Sequence, residues 1–258
     1  MELSKDFLLD LQNATVVLVQ EVGAYVYEEW LKEHSISFKD ARDIATEVDV
    51  EAEKRLRKGL HKLYPEAGFI VEEGNDARKI TFNWIIDPLD QTKKYVAKLP
   101  LFYIQLGLLD AKGECILGHI YNPVSKQLFS ASRGNGAYLN GKKFLSPARE
   151  TFEKSIVDIN FSGNTDLDWK LKKLSHLARN FYRIQISSNA FSVYILTGAV
   201  DCFVALADLK DPVDILPRVI IMKEAGLQVE YLEIEGKKVW IVANPNLYNK
   251  IISLFGEE

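Results

Sequence analysis

The chain has 258 residues, with 36 acidic against 32 basic side chains, a formal net charge of −4, 47% hydrophobic and 26% charged residues. These are values of an ordinary globular chain, which excludes disorder, collagen and coiled coil, and the missing basic field excludes nucleic acid as the primary ligand. The length allows one large domain or two fused halves.

Cys115 and Cys202 show no zinc-type spacing, so both are read as core thiols. The N-terminus lacks a basic stretch followed by an apolar run, and no long apolar segment occurs, so a cytoplasmic protein with no membrane partner is expected. Between Phe7 and Leu31, apolar residues at helical spacing predict a long amphipathic helix. Thr46-Glu-Val-Asp49 opens a second, with Val48, Ala52, Leu56 and Leu60 on one stripe, ending at Tyr64-Pro65. The period then changes. Gly68–Val71 and Phe82–Ile86 are short apolar runs halted by acids, as in buried strands that end at a site. Phe102–Leu109, Cys115–Tyr121 and Gln127–Ala131 continue as an antiparallel meander across turn-rich joints, and the glycines from Gly134 to Gly141 close it.

Beyond Thr151, a strand at Ser155–Phe161, a helix at Trp169–Phe181, a strand at Arg183–Ile186 and a helix at Phe191–Thr197 alternate. A helix at Val219–Ala225 capped by Gly226, strands around Val229 and Trp240, and a helix at Pro245–Phe255 complete the chain. The pattern predicts an α+β or α/β chain of layered helices and mixed sheets. Its expected division is an N-terminal half, 1–148, and a C-terminal half, 149–258.

Two acidic motifs stand apart from surface acids, because Glu72-Glu73 follows Phe69-Ile-Val71 and Asp87-Pro-Leu-Asp90 follows Trp84-Ile-Ile86. They can also be read as turn punctuation, with Asp90 as a helix cap. If the carboxylates of Asp87 and Asp90 converge around the Pro turn, however, they need a cation. An all-oxygen donor set favours Mg²⁺ or Mn²⁺, and the Leu89 carbonyl is a further candidate ligand. A helix starting near Thr92 would present N–H groups to an anion beside that metal.

Thr46-Glu-Val-Asp49, Phe69-Ile-Val-Glu-Glu73, Trp84-Ile-Ile-Asp-Pro-Leu-Asp-Gln-Thr92, Gly118-His-Ile-Tyr-Asn-Pro123, Gly134–Gly141 and Asp214 ahead of Glu224-Ala-Gly226 stand in one order along nearly the whole chain. In that order and spacing they resemble the inositol monophosphatase superfamily of Mg²⁺-dependent, lithium-sensitive phosphatases. The resemblance implies an αβαβα sandwich, with two mixed or antiparallel sheets and helices between and outside them. It also implies hydrolysis of a small phosphorylated metabolite by metal-activated water, with two or three Mg²⁺ ions, or Mn²⁺, and a homodimer. Glu72, Asp87 and the Leu89 carbonyl would hold one ion, and Asp87, Asp90 and Asp214 a second. Asp49 and Thr92 would orient and deprotonate the attacking water, with Glu72 also in the catalytic set. The Gln91 and Thr92 amides would cradle the phosphate, and Ser187, Ser188 and Asp208 would face the rest of the substrate.

This chain has Gln91 where the family usually has Gly, Lys94 where a small polar residue is usual, Val213 for Trp, and Pro217 for Ala or Gly. Because relatives tolerate Ala at the place of Gln91, a left-handed backbone is not obligatory there. The empty cluster of acids is expected to repel itself, so that removing the charge of Asp90 should raise the melting temperature of the metal-free protein. myo-Inositol monophosphate is the first substrate. Fructose-1,6-bisphosphate, 3′-phosphoadenosine 5′-phosphate and a degenerate, non-catalytic regulatory or binding relative are the alternatives.

Overall fold

A computed structural model describes residues 2–32, 36–38, 44–71, 77–149, 151–161, 165–187, 189–206 and 213–256. Helix α1 (Lys5–Trp30) starts where the Ser4 side chain accepts a bond from the Phe7 amide at 3.2 Å. Strands β1 (Ile36–Phe38) and β2 (Ile44–Thr46) form a short antiparallel pair with no signal in the sequence pattern. Helix α2 (Glu47–Leu63) follows, burying the stripe of Val48, Ala52, Leu56 and Leu60.

Strands β3 (Gly68–Val71), β4 (Asn83–Asp90), β5 (Tyr103–Leu109), β6 (Cys115–Asn122), β7 (Gln127–Ser132), β8 (Gly136–Leu139) and β9 (Lys142–Phe144) form one seven-stranded sheet in sequence order, with the five-residue helix α3 (Thr92–Val96) between β4 and β5. β3 runs parallel to β4 and the remaining pairs are antiparallel. The glycine segment thus contains the turn into β8 and the turn on to β9. Its geometry explains the glycines: Gly134 and Gly136 have φ of 78° and 86°, and their amides donate to the Glu224 carboxylate at 2.7 and 2.8 Å.

The second unit contains β10 (Ile156–Asn160), α4 (Leu167–Asn180), β11 (Arg183–Ser187), a 3₁₀ segment (Asn189–Thr197) and β12 (Cys202–Ala205). After α5 (Leu216–Glu224) come β13 (Gln228–Ile234), β14 (Lys237–Ala243) and α6 (Pro245–Gly256). Its five-stranded mixed sheet has the order β11-β10-β12-β14-β13, with β10 parallel to both neighbours. Val157, Ile159, Val204 and Ile241 share a core with Leu247 and Ile251 of α6 and Leu177 of α4. Each sheet is therefore layered with helices, as the pattern predicted. The segment expected as an α-helix from Phe191 is 3₁₀ instead, and its β-branched Val193, Ile195 and Thr197 weigh against α-helix there.

The division of the chain differs from a single break after residue 148. One unit comprises 1–144 with 211–224, and the other 145–210 with 225–258. Helix α5 joins the first unit because it lies on the face of the large sheet opposite α1 and α2. Ile104, Leu106 and Leu108 of β5 belong to the core shared with those two helices, and Gly107 alternates onto the other face. A Cβ at Gly118 would stand 2.5 Å from the Pro217 carbonyl oxygen and 2.6 Å from Ile220, so glycine there lets the start of α5 rest on the backbone of β6. Helix α5 also starts at Leu216 rather than Val219, with Pro217 in its first turn, where no intrahelical N–H bond is lost. Covered on both faces, β4 carries consecutive apolar residues, Trp84, Ile85 and Ile86, up to Asp87. Both cysteines are free thiols. No helix among the described residues is long and apolar enough to cross a membrane.

Candidate metal centre and active site

Strand β4 carries its apolar run, Trp84, Ile85 and Ile86, fully buried up to Asp87. There the ladder breaks: Asp87 pairs with Gln105 and Asp90 with Tyr103, and the irregularity between them takes up Pro88 and Leu89. Pro88 suits such a break because it has no ladder donor. The Asp87 Oδ1 atom accepts from the Leu89 amide at 3.1 Å, closing the turn. Thr92 Oγ1 donates to the Leu89 carbonyl at 3.0 Å, committing its single proton and leaving its lone pairs as acceptors. Gln91 precedes α3 with φ 69° and ψ 45°, so the left-handed backbone that the sequence did not make obligatory is the one adopted. The tight turn from β4 into α3 imposes it, and the side chain bends back to donate from Nε2 to Asp90 Oδ1 at 3.3 Å.

Asp214 comes from the turn that leads into α5. Oxygen atoms of Asp87, Asp90 and Asp214 all lie within 4.8 Å of one another, with Asp87 and Asp90 buried and Asp214 partly so. Two side chains that sequence reasoning passed over complete this cluster. Fully buried Arg218 donates from Nη2 to Asp90 Oδ2 at 2.5 Å and from Nε to Gln105 Oε1 at 2.9 Å. Gln105 Nε2 in turn donates to Asp87 Oδ2 at 3.3 Å. A signal for both existed: a lone arginine within the apolar run Leu216–Met222, and a glutamine within the apolar strand Phe102–Leu109. Neither belongs on a buried face without a partner.

The donor set fits a hard divalent cation. Among the described residues it offers carboxylate oxygens at one point and no nitrogen or sulfur ligand, and buried like charges at this spacing call for positive charge between them. Asp49 sits in the first turn of α2, 2% exposed, on a helix that packs against β4. Ser187, at the end of β11 in the other unit, shares its one hydroxyl proton between the two carboxylate oxygens of Asp158, 2.6 and 2.7 Å away. Burial lifts the Asp158 carboxyl to about 6, and that hydrogen bond pulls against the rise. Glu72, Ser188 and Asp208 lie outside the described residues.

Residues 8–257 match the model of the inositol monophosphatase family. The chain is 28% identical to a fructose-1,6-bisphosphatase/inositol-1-monophosphatase of Thermotoga maritima, over 96% of this chain and 97% of that one. It is 29% identical to an inositol monophosphatase of Dictyostelium discoideum, over 96% and 95% of the two chains. Among solved structures, the extragenic suppressor protein suhB of Bartonella henselae superposes with a TM-score of 0.85 at 25% identity, covering 96% of this chain and 99% of that one.

Proposed function

The chain belongs to the inositol monophosphatase family, metal-dependent phosphatases that act on small phosphoric monoesters, and from that premise we propose that it hydrolyses a small polyol phosphate, myo-inositol monophosphate first, with Mg²⁺. The observation that carries this reading is the convergence of Asp87, Asp90 and Asp214 at the broken end of β4. These three would hold the cation, together with Glu72 by resemblance. When bound, it would supply positive charge to the phosphate and acidify a water.

The chain's own residues do the rest. Asp49 and Thr92 orient the attacking water, Thr92 through the lone pairs left after its proton goes to Leu89, and Asp49 takes the proton from that water. The backbone amides of Gln91 and Thr92 at the start of α3 bind phosphate oxygens. The closed network from Asp87 through Gln105 and Arg218 to Asp90 holds two of the acids in place before substrate arrives. A homodimer accompanies this reading on the resemblance alone, and a cytoplasmic location on the sequence pattern.

A second substrate is favoured by the Thermotoga relative, whose name joins a fructose-1,6-bisphosphatase to an inositol monophosphatase. Phosphate release from a panel of myo-inositol 1-phosphate, fructose-1,6-bisphosphate and 3′-phosphoadenosine 5′-phosphate, with Mg²⁺ and with EDTA, tests both. The expected result is Mg²⁺-dependent release with the largest kcat/KM on the inositol ester. Release from none of the three overturns the proposal.

A further inference from the structure

Arg218 has no chemical task in the reaction proposed above, yet its side chain is fully buried against the acids that would hold the metal. The guanidinium reaches Asp90 Oδ2 at 2.5 Å, and through Gln105 it is linked to Asp87 Oδ2. A buried guanidinium is tolerated where its donors meet compensating charge and good acceptors. The fold delivers it to that place. Helix α5 follows Asp214 directly, and the bare backbone of Gly118 lets Pro217, the residue before Arg218, approach the sheet.

We propose that Arg218 is a tethered counter-cation of the acidic centre, a positioning residue that neutralises Asp90, holds Asp87 through Gln105, and competes with a divalent ion for Asp90. The inference rests on the reading of Asp87, Asp90 and Asp214 as metal ligands. The three described carboxylates carry a formal charge of −3, and the guanidinium reduces it to −2 before any cation enters. The metal-free cluster is thereby spared the repulsion of unscreened acids. A divalent ion entering it does so against a resident positive charge, which lowers its affinity. Arg218 therefore sets how readily the centre loads and releases metal.

The test is equilibrium binding of Mn²⁺, counted by electron paramagnetic resonance, to wild type, Arg218→Gln and Arg218→Lys. The glutamine keeps hydrogen-bond donors toward Asp90 without the charge, whereas the lysine keeps the charge without the planar fork. Arg218→Gln should bind Mn²⁺ at least about tenfold more tightly than wild type, and Arg218→Lys within about threefold of wild type. Loss of a merely structural residue would weaken binding or leave it unchanged, and either result for a folded Arg218→Gln overturns the proposal. If Arg218→Gln does not fold, wild type answers the question. The ¹⁵N resonance of Arg218 Nε should shift as Mg²⁺ saturates the protein, and an unmoved resonance while Mg²⁺ demonstrably binds overturns the proposal. Wild type that binds no Mn²⁺ overturns the metal-ligand reading beneath it as well, which separates the two failures.

Discussion

Asp90 and Arg218 form a buried ion pair closed at 2.5 Å, with Arg218 fully buried and Asp90 7% exposed. The acids at the end of β4 are therefore not a bare repelling cluster, and the expectation that Asp90→Asn stabilises the metal-free protein reverses. The substitution leaves a buried guanidinium with a neutral amide in place of its carboxylate. Removing one partner of a buried pair costs about 3 kcal/mol or more. At about 2–4 °C per kcal/mol for a chain of this size, the melting temperature in EDTA should fall by roughly 6–12 °C. Calorimetry of Asp90→Asn in EDTA checks this, and an unchanged or higher melting temperature would show that the pair does not hold the fold.

The contrast between Asp87 and Arg218 marks how far the sequence alone could be read. Asp87 was legible because it interrupts an apolar strand beside a proline, and strand ends where buried runs meet charge are where sites form. The meander and the long helices were legible from their periods. Arg218 stood out as a lone arginine in an apolar helix, but its role was not legible, because its partners Asp90 and Gln105 are distant in sequence and the helix does not name them. The return of residues 211–224 to the first unit was hidden for the same reason: it depends on the bare backbone of Gly118, a contact that no local pattern encodes. Strands β1 and β2, at three residues each, are too short to carry a period.

Asp87 is expected to be indispensable, because it stands among the three clustered acids and is also the terminus of the Gln105 relay. Asp87→Asn should abolish Mg²⁺-dependent phosphate release and also the stabilisation that Mg²⁺ provides. If the ion binds only folded wild type, a free concentration of 100 times Kd adds about 2.7 kcal/mol, a rise in melting temperature of roughly 5–10 °C. The variant should show no such rise. Retention of both turnover and the thermal shift by folded Asp87→Asn would remove this residue from the centre.

The left-handed backbone at Gln91 has a cost that glycine does not bear, about 1 kcal/mol for a residue with a Cβ. The side-chain hydrogen bond from Nε2 to Asp90 Oδ1, at 3.3 Å, is long and therefore weak. Gln91→Gly should raise the melting temperature by roughly 2–4 °C. Because the amide stays in place, phosphate release should persist. A lower melting temperature would mean that the Gln91 side chain, rather than its backbone, is what the turn needs.

Asp158 and His119 should impose opposite pH dependences on stability. His119 lies fully buried on β6, 2.7 Å from Thr15 Oγ1, and burial lowers its pKa from 6.5 to about 3. Between those values the unfolded chain holds a proton that the folded protein refuses, so stability falls as the pH falls, by about 1.4 kcal/mol per pH unit. Burial of Asp158 instead raises its pKa from 3.8 to about 6. Between those values the folded protein holds the extra proton, so its contribution is full below pH 3.8 and is lost as the pH rises through 6, with the opposite slope. From about pH 4 to 6 the two cancel. Asp158→Asn should therefore make stability climb with pH across this window relative to wild type, and His119→Gln should make it decline. Urea unfolding of the three proteins at half-unit pH steps measures both slopes, and variants whose curves run parallel to wild type would show that neither group titrates as its burial requires.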